Sequence, residues 1–132
     1  MYNTCELYDF SHSLAGEYLS GFDYPWQALK GIQDLILSLG SALGEDYTEV
    51  SPSVWVHKTA TIGNSVELKN VILFDNVQVP HYNYVGDSIL GYKSHMGAGS
   101  VTSNVKSDSS LVTVKDGNAR METGLKKFGA ML

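Results

Sequence analysis

A chain of 132 residues is long enough for one domain with a modest hydrophobic core, but not for two. Its 43% hydrophobic and 17% charged residues describe an ordinary globular protein. The net charge of −5 argues against nucleic acid or an anionic membrane as the main partner. A local basic pair such as Lys126 and Lys127 could still bind a small phosphorylated ligand.

The cysteine content and the N-terminus indicate where the protein resides. Cys5 is the single cysteine, so an internal disulfide is excluded, and no cysteine spacing suggests a metal site. The N-terminus MYNTCELYDF has no basic start and no long apolar run, and no segment reaches the ~18–20 apolar residues that cross a bilayer. We expect a cytoplasmic protein without a bound metal that is neither secreted nor membrane-bound.

The first 53 residues predict an α-helical cap and a linker. Residues 1–23 are aromatic and acidic with poor periodicity, which indicates packing. From Tyr24 to Leu43, apolar residues recur every three or four positions and line one helix face: Leu29, Ile32, Ile36, Leu39 and Leu43. Pro25 suits the first turn, and Gly40 or Gly44 is a plausible end. Around Pro52 a polar linker follows, because proline interrupts a helix.

Residues 54–132 predict a parallel β-helix, with Val54–Val56 as part of its first hexapeptide. Apolar residues recur at a step of six that twice contracts to five: Ile62, Leu68, Leu73, Val79, Val85, Leu90 and Met96. Small or compact residues form a second row four positions later: Val66, Val77, Asn83, Ser94 and Ser100. A step of six is typical of solenoids whose coils contain about 18 residues in three short strands. The step is lost after Asn104, so an extruded loop or hairpin is expected at about 105–124.

One segment of the predicted coils, Pro80-His81-Tyr82-Asn83-Tyr84, carries groups that a plain core does not need. Histidine can accept a proton near neutral pH, and the Tyr84 hydroxyl could orient or share that proton. A lone histidine among aromatic residues is more often structural, and Lys69 could equally be a solvated lysine. In a coil of about 18 residues, Lys69 lies on a different wall from His81, so the two could meet only at a cleft between subunits.

The run GNSVELKN–HYNYVGDSILG–GAGSVTSN resembles the left-handed β-helix acyltransferases. It is similar to the acetyltransferase domain of the bifunctional N-acetylglucosamine-1-phosphate uridyltransferase/glucosamine-1-phosphate acetyltransferase. Most of residues 6–132 also resembles shorter proteins labelled sugar-nucleotidyltransferase- or UDP-N-acetylglucosamine pyrophosphorylase-related. The resemblance implies a mainly β, left-handed parallel β-helix that forms a homotrimer, with acetyl-CoA as co-substrate and an amino-sugar phosphate as acceptor at subunit interfaces.

The resemblance also implies residue roles. His81 matches the catalytic base, and Asn104 matches the residue that positions the acetyl group. Lys69 and Tyr84 match substrate-binding positions, and the backbone at Ala98 matches a contact with acetyl-CoA. His95 stands where the family has a substrate-binding asparagine, which could change the acceptor.

The chain departs from the family in length. Relatives have further coils between Ala60 and Gly63 and after the segment KKFGAML, so this chain resembles a shortened version. The alternative hypothesis is therefore a non-catalytic trimerisation scaffold that is inactive because coils are missing. No glycine-rich G-x-G-x-x-G signature occurs, so nucleotidyl transfer is not expected of this chain.

Overall fold

The structure is a computed structural model that describes residues 2–132. It is β-rich, with four small two-stranded sheets and few helices in the described part. The helices are α1 (Thr4–Leu7), α2 (Gly16–Ser20) and α3 (Ile32–Gly40), with 3-10 turns at Phe10–His12 and Pro25–Gly31. Eight strands were assigned: β1 (Tyr47–Ser51), β2 (Val54–His57), β3 (Thr61–Ile62), β4 (Glu67–Leu73), β5 (Gln78–Val79), β6 (Tyr84–Leu90), β7 (Thr113–Asp116) and β8 (Ala119–Glu122).

Successive turns of the chain stack in parallel with a constant offset of 17 residues. Strand β3 pairs with β5 through Ile62 and Val79, and β4 pairs with β6 through Leu68 and Val85. Isolated parallel bridges continue the offset from Gln78 to His95 and from Tyr84 to Val101. We call each 17-residue turn a coil. The apolar step runs six, five, six between Ile62 and Val79, so the contraction to five recurs in each coil and makes it shorter than the expected 18.

The interior of the coils contains the apolar row that the sequence predicts. Val79, Val85 and Leu90 are fully buried, and Leu73 lies beside Leu90 in the ladder. Side chains alternate along a strand, so Ile72 and Ile89 point to the outer face. Both are nonetheless buried, because the N-terminal segment covers this outer wall and the Tyr8 hydroxyl donates to the Ile89 carbonyl at 3.2 Å.

The predicted helix is confirmed in part. Pro25 begins a 3-10 turn, and the α-helical part starts at Ile32 and ends at Gly40, one of the two expected ends. Leu29 and Ile32 are buried, so the apolar stripe faces inward. The C-terminal half of α3 and the hairpin β1–β2 lie over the open interior of the first coil. They leave an apolar cavity of about 210 Å³ between helix, hairpin and coil.

The segment Val54–Val56 does not open the first coil, as the sequence suggested. Strand β2 instead pairs antiparallel with β1, and parallel pairing begins at Thr61. The two-residue connection is Pro52-Ser53, where Ser53 has φ +61°. Proline followed by a residue with positive φ is the arrangement of a type II turn, which reverses the chain at once. Alternating apolar residues fit either partner, and this turn selects the antiparallel one.

The hairpin expected after Asn104 is confirmed. Strands β7 and β8 pair antiparallel around Asp116 and Ala119, with Gly117 at φ +56° in the turn. The chain then returns to the coils, where Phe128 N–H donates to the Asn104 carbonyl at 2.9 Å and Met131 bridges Ile89 in parallel. The excursion therefore delivers residues 124–128 to the side of the coils.

Candidate functional site

Three of the candidate residues share the outer face of the wall formed by β4 and β6. Lys69 is the register partner of Gly86, and Tyr84 lies two residues before Gly86 on the same strand. Register partners of a parallel pair point to the same face, as do residues i and i+2 of a strand. Lys69 and Tyr84 therefore project from one surface, which removes the expectation that Lys69 lies on a wall of its own.

Gly86 is the floor over which Tyr84 and Asn104 meet. A Cβ atom at this position would lie 2.5 Å from the Tyr84 hydroxyl oxygen and 2.7 Å from Asn104 Nδ2. Such distances are too short for non-bonded atoms, so only glycine leaves the space. Asn104 Nδ2 donates to the Tyr84 hydroxyl at 3.3 Å. The structure thus brings together two of the sequence-predicted site residues within one chain.

A polar ladder holds Asn104 in place. Asn70, Asp87 and Asn104 follow one another at the 17-residue offset and stack on successive coils. Asn70 Nδ2 donates to Asp87 Oδ1 at 2.8 Å, and Asn104 Nδ2 donates to Asp87 Oδ2 at 2.5 Å. Asn70 and Asp87 have φ values of +56° and +48°, a conformation that Asn and Asp tolerate better than most residues. Asp87 is buried, and among residues 2–132 it has no cationic partner.

The amide of Asn104 has a defined remaining capacity. Its two N–H bonds are used by Asp87 and Tyr84, so its Oδ1 is the atom left to accept a hydrogen bond. Within residues 2–132, no donor reaches this oxygen. A ligand over Gly86 would therefore meet one amide acceptor and one phenolic hydroxyl at fixed positions.

His81 lies at the corner that precedes β6. The ring is exposed and makes no hydrogen bond within the described residues, while the His81 carbonyl accepts from Gly99 N–H at 2.9 Å. Ala98 consequently stacks one coil after His81, and both are exposed at the same corner. His81, Ala98 and Tyr84 thus occupy neighbouring positions, although no contact joins the imidazole to the Tyr84 hydroxyl.

His95 is separated from this group. It bridges Gln78, the neighbour of Val79, and therefore belongs to the wall that carries β3 and β5. The structure does not bring the His95 ring into the hydrogen-bonded set of Tyr84 and Asn104. Its exposed side chain leaves it free to face a second molecule.

A cleft of about 680 Å³ separates the N-terminal helices from the wall. Its lining includes four lysines from three parts of the chain: Lys30, Lys69, Lys126 and Lys127. Asn70 and Asp87 of the ladder also face it. The cleft is therefore continuous, through Asp87, with the position of Asn104. We name it the lysine cleft.

Sequence reasoning missed Asn70 and Asp87. The signal was present as a polar residue repeated twice at 17 residues in a segment where other positions of the coil are apolar or small. An assumed coil of about 18 residues hid it, since that period places Asn104 beside Ser88 rather than Asp87.

Two searches of residues 2–132 gave negative results. No group of three or more His, Cys, Asp and Glu side chains could hold a metal ion. No helix combines the length and apolar character that crossing a membrane would need.

Comparisons with known proteins match this region. Residues 34–122 match the family model of the GMPPB C-terminal domain. The chain is 34% identical over 83 residues to the bifunctional protein GlmU of Methanococcus aeolicus, which covers 63% of this chain and 20% of that protein. It is 35% identical over 71 residues to a bifunctional sugar-1-phosphate nucleotidylyltransferase/acetyltransferase of Sulfurisphaera tokodaii, covering 54% of this chain and 18% of that protein.

The chain thus spans about a fifth of the length of these relatives. The family match covers more than half of the chain, from α3 to the end of β8. It includes the ladder and every sequence-predicted site residue. The chain belongs to the GMPPB C-terminal domain family and is related to the GlmU-type sugar-phosphate transferases.

Proposed function

We propose that this chain is an acyltransferase that moves an acetyl group from acetyl-CoA to the amine of an amino-sugar phosphate. Residues 54–132 would contain a short left-handed β-helix with the excursion at 105–124, capped by residues 1–53. The observation that carries the proposal is the set formed by Tyr84, Asn104 and Lys69 on one wall, beside His81 at the adjoining corner. The relationship to bifunctional acetyltransferases supports it.

The reaction needs a base, a held acceptor and a held thioester. His81 takes the proton from the acceptor amine, whose lone pair attacks the thioester carbonyl. The tetrahedral intermediate collapses, the C–S bond breaks, and the CoA thiolate leaves and takes up a proton. No covalent enzyme intermediate is required. The exposed His81 ring is available for this role because no side chain within residues 2–132 occupies its nitrogens.

The remaining residues hold the substrates. Tyr84 and Lys69 bind the acceptor, with the ammonium group of Lys69 on its phosphate. Asn104 accepts a hydrogen bond through Oδ1 and fixes the acetyl group beside the amine. The backbone at Ala98 contacts acetyl-CoA one coil after His81.

A homotrimer would complete the site. His81 and Ala98 are open to solvent in the single chain, and Tyr82 and Val101 near them are 70% and 64% exposed. A neighbouring subunit on this corner would exclude water from the reacting atoms and bury these apolar side chains. His95 of one subunit would then face the acceptor in another.

The second candidate is a trimerisation scaffold without catalysis. The specific observation in its favour is that no side chain of the same chain orients the His81 imidazole, whereas a general base usually has such a partner. Both candidates predict the same assembly. They differ in whether a thioester donor binds.

Calorimetric titration with acetyl-CoA and with desulfo-CoA separates the two candidates. The intact protein and His81→Ala should both bind, and acetyl transfer to glucosamine 1-phosphate should fall by about 10²–10⁴-fold in the variant. His57→Ala, on the hairpin away from the wall, is the matched control and should transfer normally. Light scattering in the same buffer gives the assembly. A folded trimer that binds neither donor analogue would support the scaffold and exclude the transferase.

A further inference from the structure

The lysine cleft concentrates positive charge in an acidic protein. The chain has nine Lys and Arg residues and a net charge of −5, yet four of the nine line this one cleft. Among residues 2–132, none of these four ammonium groups forms a salt bridge or a hydrogen bond. The lysine that is ion-paired in the described region, Lys58, lies elsewhere, with Asp46 on the hairpin side. Unpaired like charges gathered in a concavity repel one another unless an anion joins them.

Three separate segments build the cleft. Lys30 comes from the 3-10 turn before α3, Lys69 from β4, and Lys126 with Lys127 from the returning end of the excursion. Only Lys69 lies within residues 34–122, which match the family model. The positive charge contributed by the other three is therefore a property of this chain's own flanking segments.

The flanking segments are fixed to each other and to the wall. The ring of Phe128, next to Lys127, packs on Trp26 with ring centroids 6.0 Å apart. Phe128 N–H donates to the Asn104 carbonyl, and the Leu29 carbonyl accepts from Asn70 Nδ2 at 3.2 Å. The lysines are thus attached to backbone that is docked on both sides of the cleft and do not belong to free loops.

The size and chemistry of the cleft select a class of ligand. A volume of about 680 Å³ falls within the range of small-molecule sites, about 300–1,000 Å³, and is too confined for a large polyanion. A phosphate oxygen accepts charge-assisted hydrogen bonds from ammonium groups. Asp87 at the wall side would repel a phosphate placed against it, so the phosphate belongs on the lysine side and the uncharged part of the ligand toward the ladder.

We propose that the lysine cleft binds the phosphate of a phosphorylated sugar, and that Lys30, Lys126 and Lys127 hold it together with Lys69. The inference rests on the proposed function, whose acceptor it completes. It places the phosphate-binding groups within one chain, between the N-terminal helices and the end of the excursion. The sugar then extends past Asp87 toward Asn104 and Tyr84.

Calorimetry with glucose 1-phosphate, UDP-glucose and unphosphorylated glucose tests this proposal. Glucose 1-phosphate should bind and glucose should not. In the triple variant Lys30→Gln/Lys126→Gln/Lys127→Gln the affinity should fall by about tenfold or more, and raised salt should weaken binding to the intact protein. Tighter binding of UDP-glucose than of glucose 1-phosphate would identify a nucleotide-linked sugar as the source of the phosphate.

The matched control removes the same charge outside the cleft. Lys93→Gln/Lys115→Gln/Arg120→Gln changes three exposed cations and should alter the affinity by no more than about twofold, the screened effect of distant charges. An equal loss in this control would mean that diffuse attraction and not the cleft binds the ligand, and would overturn the proposal. Absence of glucose 1-phosphate binding in the folded intact protein would overturn it as well.

Acetyl-CoA titrations on the same variants distinguish this inference from the proposed function. The cleft triple variant should keep its affinity for acetyl-CoA while losing glucose 1-phosphate. Sugar phosphate bound without acetyl-CoA would exclude acetyl transfer and leave the cleft assignment standing. Loss of both ligands together in the triple variant would place the phosphates of CoA in the cleft and overturn the assignment to a sugar phosphate.

Discussion

Asn104 Nδ2 lies 2.5 Å from Asp87 Oδ2, and the two residues are one coil apart on the same corner. The second carboxylate oxygen of Asp87 accepts from Asn70 on the coil before. A buried carboxylate needs such donors, because burying an unpaired charge costs several kcal/mol. The ladder therefore links the stability of the coils to the orientation of the amide that we propose to position the acetyl group.

Replacement of Asp87 tests this link. Asp87→Ala leaves two amide groups without an acceptor, and we expect the free energy of unfolding to fall by about 2–4 kcal/mol. Asp87→Asn keeps one acceptor oxygen and tolerates the positive φ, so about half of that loss is expected. Urea unfolding provides the measurement. Asp23→Asn, which removes an exposed carboxylate, should change stability by less than about 0.5 kcal/mol, and an equal effect there would deny the ladder its role.

The stacked coils could be predicted because their signal is local and repeated. Ile62, Val79 and the residues between them return to the interior at fixed intervals, and the parallel register follows those intervals. The coil length was misjudged because a step of six was treated as the rule and the contractions to five as irregular. Since 17 and 18 differ by one residue, each side chain was assigned to a neighbouring position on the adjoining coil.

The hairpin β1–β2 and the lysine cleft could not be predicted in the same way. Val54, Trp55 and Val56 alternate as any strand does, and nothing in that pattern specifies a partner. The cleft joins Lys30 to Lys127 across nearly a hundred positions of the sequence. Such proximity depends on how the N-terminal helices and the end of the excursion dock, and a sequence pattern of one chain does not encode it locally.

Gly63→Ala should disrupt the stacking of the first two coils. A Cβ atom at Gly63 would lie 1.3 Å from the Pro80 carbonyl oxygen on the next coil, and backbone on both sides leaves no room to adjust. We expect a loss of about 3 kcal/mol or more in the free energy of unfolding. Gly44→Ala is the matched control, since nothing lies within 4 Å of its added atom. It should be neutral or stabilising by about 0.4–1 kcal/mol. Similar unfolding midpoints for the two variants would contradict the observed stacking.

Tyr84→Phe should separate activity from stability. The hydroxyl accepts only one long hydrogen bond, from Asn104 at 3.3 Å, so its removal should cost about 1 kcal/mol or less in stability. Under the proposed function, kcat/KM for acetyl transfer should fall by about tenfold because the acceptor loses a fixed hydrogen-bonding partner. Tyr82→Phe removes an exposed hydroxyl nearby and should leave kcat/KM unchanged. Full activity of Tyr84→Phe would exclude Tyr84 from the site.

Tyr8 should make the protein lose stability in alkali. Burial raises the pKa of the Tyr8 hydroxyl well above its ordinary value of 10.0, since the phenolate would lie in an apolar environment against Phe74. In the unfolded chain the phenol ionises near its ordinary pKa, while in the folded chain it stays protonated. The unfolded state thus binds fewer protons, and the Tyr8 contribution, complete below pH 10, declines as pH rises from there toward the folded pKa.

The expected slope is about 1.4 kcal/mol of unfolding free energy per pH unit from this one group. Urea unfolding at several pH values above the ordinary tyrosine pKa measures it. Tyr8→Phe should flatten that part of the curve, and its cost at neutral pH should be small because the Ile89 carbonyl keeps a second donor, Leu132 N–H at 3.0 Å. Tyr2→Phe, at a side chain that is 73% exposed, is the control and should keep the full slope. If Tyr8→Phe retained the same alkaline slope as the intact protein, the buried phenol would not be its source.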